Sequence, residues 1–212
     1  QTCALPIYLE RKTNSLMRML MQNLMDTGIY IWDNDLVLLS TKDLSKDYDA
    51  CALLRNVVVH NPVCVGFSLP NQEGIKKIST FYRQATYALE RGMNKQKQKA
   101  FQYFENYAVE YLLTAKADVK DKVMAVMPAV YRLWKEKQKG DEMFGTLLCF
   151  LDHERSIAQT SAELFMHRNT TVYRIKKIQE NMKVDLDDEK VRNYCYISMH
   201  FLDALEKVRE TI

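Results

Sequence analysis

The stretch from Ser156 to Asn181 constrains the fold more than any other part of the chain. Ser156 is a good helix N-cap, and it precedes a segment running to Phe165 in which Ile157, Thr160, Ser161 and Leu164 share one face. Met166-His167-Arg168 then interrupts the period. Asn169 is placed to cap a second segment, Thr170 to Asn181, whose Ile175 and Ile178 face back toward Ile157 and Leu164. Helix, three-residue turn, helix is the arrangement that holds the second helix outward against a groove. The run Met143 to Leu151 just before it reads as a further helix, with Leu147, Leu148, Phe150 and Leu151 supplying core.

The outward residues of the second helix share one chemistry. His167, Arg168, Asn169, Thr170, Tyr173, Arg174 and Lys177 gather at its N-terminal end and along one face, with Lys176 beside them. Arginine can grip guanine O6 and N7 together, asparagine pairs with adenine, and threonine and backbone N–H groups hold phosphate. Lysine supplies charge that releases counterions, and the positive end of the helix adds to the attraction. The formal net charge of the whole chain is only +3, so a nucleic-acid surface must be local. A charged helical face is commonly no more than solvated; the turn and the preceding helix argue for more.

The remainder reads as a mixture. Leu16, Met17, Leu20, Met21 and Leu24 have helical spacing, ending near Gly28. Ile29-Tyr30-Ile31-Trp32 and Leu36-Val37-Leu38-Leu39 form a hairpin about Asp33-Asn34-Asp35. Ala50 to His60 reads either as a helix running into a strand or as a continuous strand, and Val63 to Ser68 as a buried strand. Asn71 to Lys77 begins a helix with a stripe of Ile75, Ile78, Phe81, Tyr82, Ala85, Ala88 and Leu89, stopped by Gly92. Lys95, Lys97 and Lys99 lie in a solvated loop, and Phe101 to Phe104 is a short strand. Helices are expected over Tyr107 to Ala115 and Lys122 to Lys137, with a hinge at Lys116 to Asp121 and a break at Lys135 to Asp141. The fold class is therefore α+β, a mixed α/β half followed by an all-α domain. The expected divisions are 14–105, connecting helices at 106–140, and 141–212.

Several functions are disfavoured. The five cysteines are scattered and form no Cys-x-x-Cys pair, which points to a reducing cytosol without disulfides or a zinc site. His60, His153, His167 and His200 show no metal-binding spacing, and Cys149 and Cys195 read as core. No Gly-rich phosphate loop occurs. No catalytic residue, cofactor or metal is expected. Apolar runs fall short of a membrane span, and a cytoplasmic location follows. Met124, Met127, Tyr131 and Trp134 on one helix suggest packing between domains or subunits, or a ligand pocket. The chain begins without Met and reads as truncated at its N-terminus, where residues 1–7 need not be native.

The string Leu164-Phe165-Met166-His167-Arg168-Asn169-Thr170, then Tyr173-Arg174-Ile175 and Lys177-Ile178, resembles the C-terminal signature of the PucR/CdaR family of bacterial transcription regulators. Gly145-Thr146-Leu147-Leu148 with Phe150-Leu151 before it, and Asp185-Leu186-Asp187-Asp188 after it, extend the likeness. The resemblance implies that Arg168, Asn169, Thr170, Tyr173 and Arg174 act in a recognition helix, with Lys177 a backbone contact. Thr171 stands where the family usually has leucine, and Ser161 where it usually has alanine, which implies lower stability on the same fold. Less specifically, Val65-Gly66-Phe67-Ser68, Phe81-Tyr82-Arg83-Gln84-Ala85 and Ala88-Leu89 are similar to the degenerate GGDEF-like domain that precedes this module in many members. An active cyclase would carry glycines where Trp32-Asp33-Asn34-Asp35-Leu36 stands, so no catalysis is implied. The expected partners are double-stranded DNA and further copies of the chain, as a homodimer or higher homo-oligomer. An effector would be bound by a missing N-terminal region. The alternative is a non-catalytic signalling or protein-interaction module whose basic helix meets an acidic partner.

Overall fold

The structure is a computed structural model that describes residues 3–8, 18, 20, 22, 24, 27–32, 35–40, 43, 44, 46–60, 63–70, 75–93, 100–114 and 117–210. The chain divides into two compact units, Gln1–Ala108 and Val109–Ile212. Among the described residues no helix is long and apolar enough to cross a membrane.

The first unit is built on a five-stranded sheet in the order β2-β3-β1-β4-β5. The strands are β1 (Cys3–Tyr8), β2 (Thr27–Trp32), β3 (Asp35–Ser40), β4 (Cys64–Phe67) and β5 (Phe101–Tyr103). All neighbours are antiparallel except β4 and β5, which run parallel. The β2-β3 hairpin is as expected, but Asp35 is already paired with Trp32. The connection is thus residues 33 and 34, which lie outside the described residues. The strand β1 is not anticipated by sequence. It contains Pro6, paired opposite Val37 in the middle of the sheet, and proline without an N–H normally argues against a central strand.

The ambiguous segment is a helix, α1 (Tyr48–His60). Asp47 Oδ1 accepts from the Ala50 N–H at 2.9 Å, and Ala50, Leu54 and Val57 are buried on one face; cap and stripe outweigh the β-branched Val57-Val58-Val59. A 3-10 turn, Ile75–Lys77, leads into α2 (Ile78–Met93), in which Phe81, Ala85, Ala88 and Leu89 are buried as predicted. Gly92 does not stop this helix, which continues to Met93. A Cβ at Gly92 would lie 2.0 Å from the Gln102 side chain, and one at Gly66 would lie 2.4 Å from the Ala85 carbonyl oxygen. At Gly66 the obstacle is α2 backbone, so glycine is needed there, whereas at Gly92 it is the end of the Gln102 side chain. Leu36, Leu38, Leu54 and Val65 are fully buried, and Phe67 stacks on Tyr103 with ring centroids 4.7 Å apart. Of the helix expected from Leu16 to Met25, residues 18, 20 and 22 are helical, with Leu20 and Leu24 buried; the rest of it, and Lys95, Lys97 and Lys99, lie outside the described residues.

After the 3-10 turn Phe104–Tyr107 come α3 (Ala108–Leu113), α4 (Val119–Val123) and α5 (Pro128–Lys137). The single helix expected over Lys122 to Lys137 is split, because Pro128 occupies the first turn of α5 and its ring cannot continue the preceding helix. The hinge expected at Lys116 to Asp121 is in part helical, with Asp118 Oδ1 accepting from the Lys120 N–H at 3.1 Å. The break near Gly140 is present, with φ at +95°. Four further helices complete the second unit: α6 (Met143–Asp152), α7 (Ile157–Glu163), α8 (Arg168–Met182) and α9 (Glu189–Glu210). Asp188 Oδ1 caps α9 by accepting from Lys190 and Val191 N–H groups. The Tyr194 hydroxyl of α9 donates to the Ala125 carbonyl at 2.7 Å, and the Met127 N–H donates to Ser198 Oγ at 2.9 Å. Met127 and Trp134, expected at an interface between domains or subunits, are buried, and Met127 is tied to α9 within the same unit.

Candidate nucleic-acid interface

The ends of α6, α7 and α8 shape the interface. Past α6, Glu154 and Arg155 both take left-handed backbone, with φ of 50° and 68°, and turn the chain back onto the helix it has just left. Ser156 caps α7 as expected, its hydroxyl accepting from the Gln159 N–H at 3.3 Å. Phe165, at φ 51°, makes the turn out of α7. The cap of α8 is His167 and not Asn169: its backbone is extended, and its ring Nδ1 accepts from the Asn169 N–H at 3.2 Å. The helix therefore starts at Arg168, earlier than expected, so Arg168, Asn169 and Thr170 all stand in the first turn, where helix N–H groups have no partner four residues back. Lys183, left-handed at φ 54°, ends the helix.

The two faces of α8 are sharply different. Thr171, Ile175, Ile178 and Met182 are buried. His167, Arg168, Asn169, Thr170, Tyr173 and Lys177 are exposed, and the Lys177 ammonium lies 5.9 Å from the centre of the Tyr173 ring. Of the expected contact residues, Arg174 departs from this set. Its guanidinium turns back to α6, donating to Glu142 Oε2 at 2.8 Å and to Thr146 Oγ1 at 3.4 Å. Sequence reasoning did not select Phe165, which is 97% exposed, or Val172, which is 46% exposed. Helical spacing places Val172 beside Arg168 and Asn169, and an apolar group there suits a thymine methyl.

Beneath this surface, α7 crosses α8 on a pair of hydroxyls. Ser161 Oγ and Thr171 Oγ1 are 2.8 Å apart, Ser161 Oγ also lies 2.6 Å from the Ile157 carbonyl, and Thr171 is fully buried. The two positions at which the resemblance noted above breaks down thus face each other. A small residue at 161 lets the helices approach, and the hydroxyl on each side satisfies the other.

Cys149 and Cys195 are buried thiols, as expected. Burial pushes Cys195 up to about 12. For Cys149, burial first and the neighbouring Glu163 carboxylate second raise the thiol to about 11.

Comparison with known proteins agrees with this geometry. Residues 143–201 match the family described as the PucR C-terminal helix-turn-helix domain. The proline-responsive transcriptional activator PutR of Bacillus subtilis (strain 168) is 32% identical over 65 residues, which make up 31% of this chain and 16% of that protein. The chain thus matches only a small part of that relative's length. Among solved structures, a regulator of polyketide synthase expression from Bifidobacterium adolescentis aligns with a TM-score of 0.52 at 16% identity, covering 94% of this chain and 79% of the other. That likeness is one of fold.

Proposed function

We propose that this chain, which carries a PucR-type C-terminal helix-turn-helix domain at residues 143–201, is the DNA-binding part of a transcription regulator that reads the major groove with α8. The observation that carries this reading is the division of α8 into a buried apolar face and an exposed face bearing Arg168, Asn169, Thr170, Tyr173 and Lys177. In it, Arg168 and Asn169 read base edges, the Thr170 hydroxyl and the positive end of the helix hold phosphate, His167 caps the helix start, and Lys177 positions the helix on the backbone. Arg174 reaches phosphate only by exchanging Glu142 for it.

One such helix makes a small footprint, so the protein works as a homodimer or higher homo-oligomer on repeated half-sites. The N-terminal unit is a degenerate GGDEF-like domain without catalytic activity: Asp35 is taken up in β3 and accepts from the Tyr82 hydroxyl at 2.9 Å. The effector is sensed elsewhere in a longer protein.

Replacing Arg168 by alanine tests the central assignment. The expected loss of affinity for the native upstream DNA is about 1–3 kcal/mol at fixed salt, with unchanged circular dichroism. Unchanged affinity would show that α8 is not the reading helix, and equal binding of random and native duplexes would favour a protein-interaction module instead.

A further inference from the structure

Three potential metal ligands come together where the end of α6 meets the end of α7. Cys149 and His153 lie one turn apart on and just past α6, and the left-handed pair Glu154-Arg155 folds α7 back so that Glu163, its last residue, reaches them. One ligand atom from each of the three lies within 4.8 Å of the other two. His153 Nε2 and Glu163 Oε2 are 2.6 Å apart.

From this arrangement we propose that Cys149, His153 and Glu163 form a binding site for a divalent late transition-metal ion, Zn2+ being the best fit. A thiolate, an imidazole and a carboxylate are the donor types that borderline-soft Zn2+ accepts together. Zinc bonds of about 2.0–2.3 Å in a tetrahedron put the donors about 3.3–3.6 Å apart. The cluster therefore needs only a small contraction toward Cys149 and an opening of the His153–Glu163 pair, and the Glu163 side chain, 60% exposed, is free to make that adjustment. The thiol is buried against the apolar face of α6 while His153 and Glu163 stand toward solvent, which leaves an entry path and a fourth position for water. The Cys149 proton leaves to solvent as the metal binds. An ion held there would staple α7 to the end of α6.

The test uses the whole chain, reduced, with Co2+ as the spectroscopic probe and Zn2+ in competition. One equivalent of Co2+ should give a thiolate-to-cobalt absorption band, and Zn2+ should abolish it. Cys149→Ser should lose the band while the other cysteines remain. Even outer-shell partners of a ligand are worth about 10- to 100-fold in affinity, so His153→Gln and Glu163→Gln should each weaken binding by at least about tenfold. The latter two positions are partly exposed, so those variants should fold even if Cys149→Ser does not. No thiolate band in the parent protein, or a band that survives at full affinity in His153→Gln and Glu163→Gln, would overturn the site. DNA is absent from these measurements, so their outcome is independent of the role of α8.

Discussion

The molecule contains two kinds of interior. Around β4 the core is large, apolar and aromatic: Phe67 is 2% exposed, stacks on Tyr103 and meets Phe101 edge-on at 5.8 Å. Where α7 crosses α8 the contact is small and polar, a hydroxyl pair set among short side chains. In the first the stabilisation is spread over many weak contacts and scales with area. In the second a single hydrogen bond joins two buried hydroxyls, and it is lost if either partner goes. The sheet should thus respond to volume and the helix crossing to chemistry.

The most damaging single change is expected in the sheet. Phe67→Ala should cost about 3–5 kcal/mol, and hydrogen exchange should accelerate in β4 and β5 before it does in α6 to α9. Faster exchange spread evenly over both units would break the distinction. At the crossing, Ser161→Ala should cost about 1–3 kcal/mol by leaving the buried Thr171 hydroxyl without its partner. The double variant Ser161→Ala/Thr171→Val should lie closer to the parent than the single changes predict by addition. A double-mutant cycle in urea checks this, and strict additivity would mean that the two hydroxyls do not support each other. The smallest effect on stability is expected at Glu142, whose side chain is 75% exposed. Glu142→Gln should change stability by less than about 0.5 kcal/mol. By releasing Arg174 it should strengthen duplex binding and steepen its salt dependence by up to about one phosphate contact; a salt slope that stays the same would leave Arg174 a purely structural residue.

Legibility in the sequence follows the range of the contacts. The helix-turn-helix could be read because its signals are local: the Ser156 cap, the apolar spacing of Ile157 and Leu164, and the buried Ile175 and Ile178 all act within a few turns. The cap is His167, two positions before the Asn169 that sequence favours, since an imidazole acceptor is less familiar in that role. The strand β1 escaped because its existence rests on pairing with β3 some thirty residues away, and Pro6 argues against it locally. Pro128 is a local helix-break signal, but the apolar stripe runs through it and masks the break. The Glu142–Arg174 pair spans 32 residues and has no local mark. Cys149 and His153 stand one helical turn apart in sequence, which is not a metal-binding spacing by itself, and Glu163 joins them only through the backward turn at Glu154 and Arg155.

The separation of the two faces of α8 has an evolutionary consequence. Arg168, Asn169, Val172, Tyr173 and Lys177 are exposed, whereas Thr171, Ile175, Ile178 and Met182 hold the helix in place. Only Arg174, tied to Glu142 and Thr146, and His167, which caps the helix, belong to both groups among the expected contact residues, and substitutions at the other exposed positions are nearly neutral for folding. A duplicated copy of such a gene can therefore drift toward a new target sequence one side chain at a time, without passing through an unfolded ancestor.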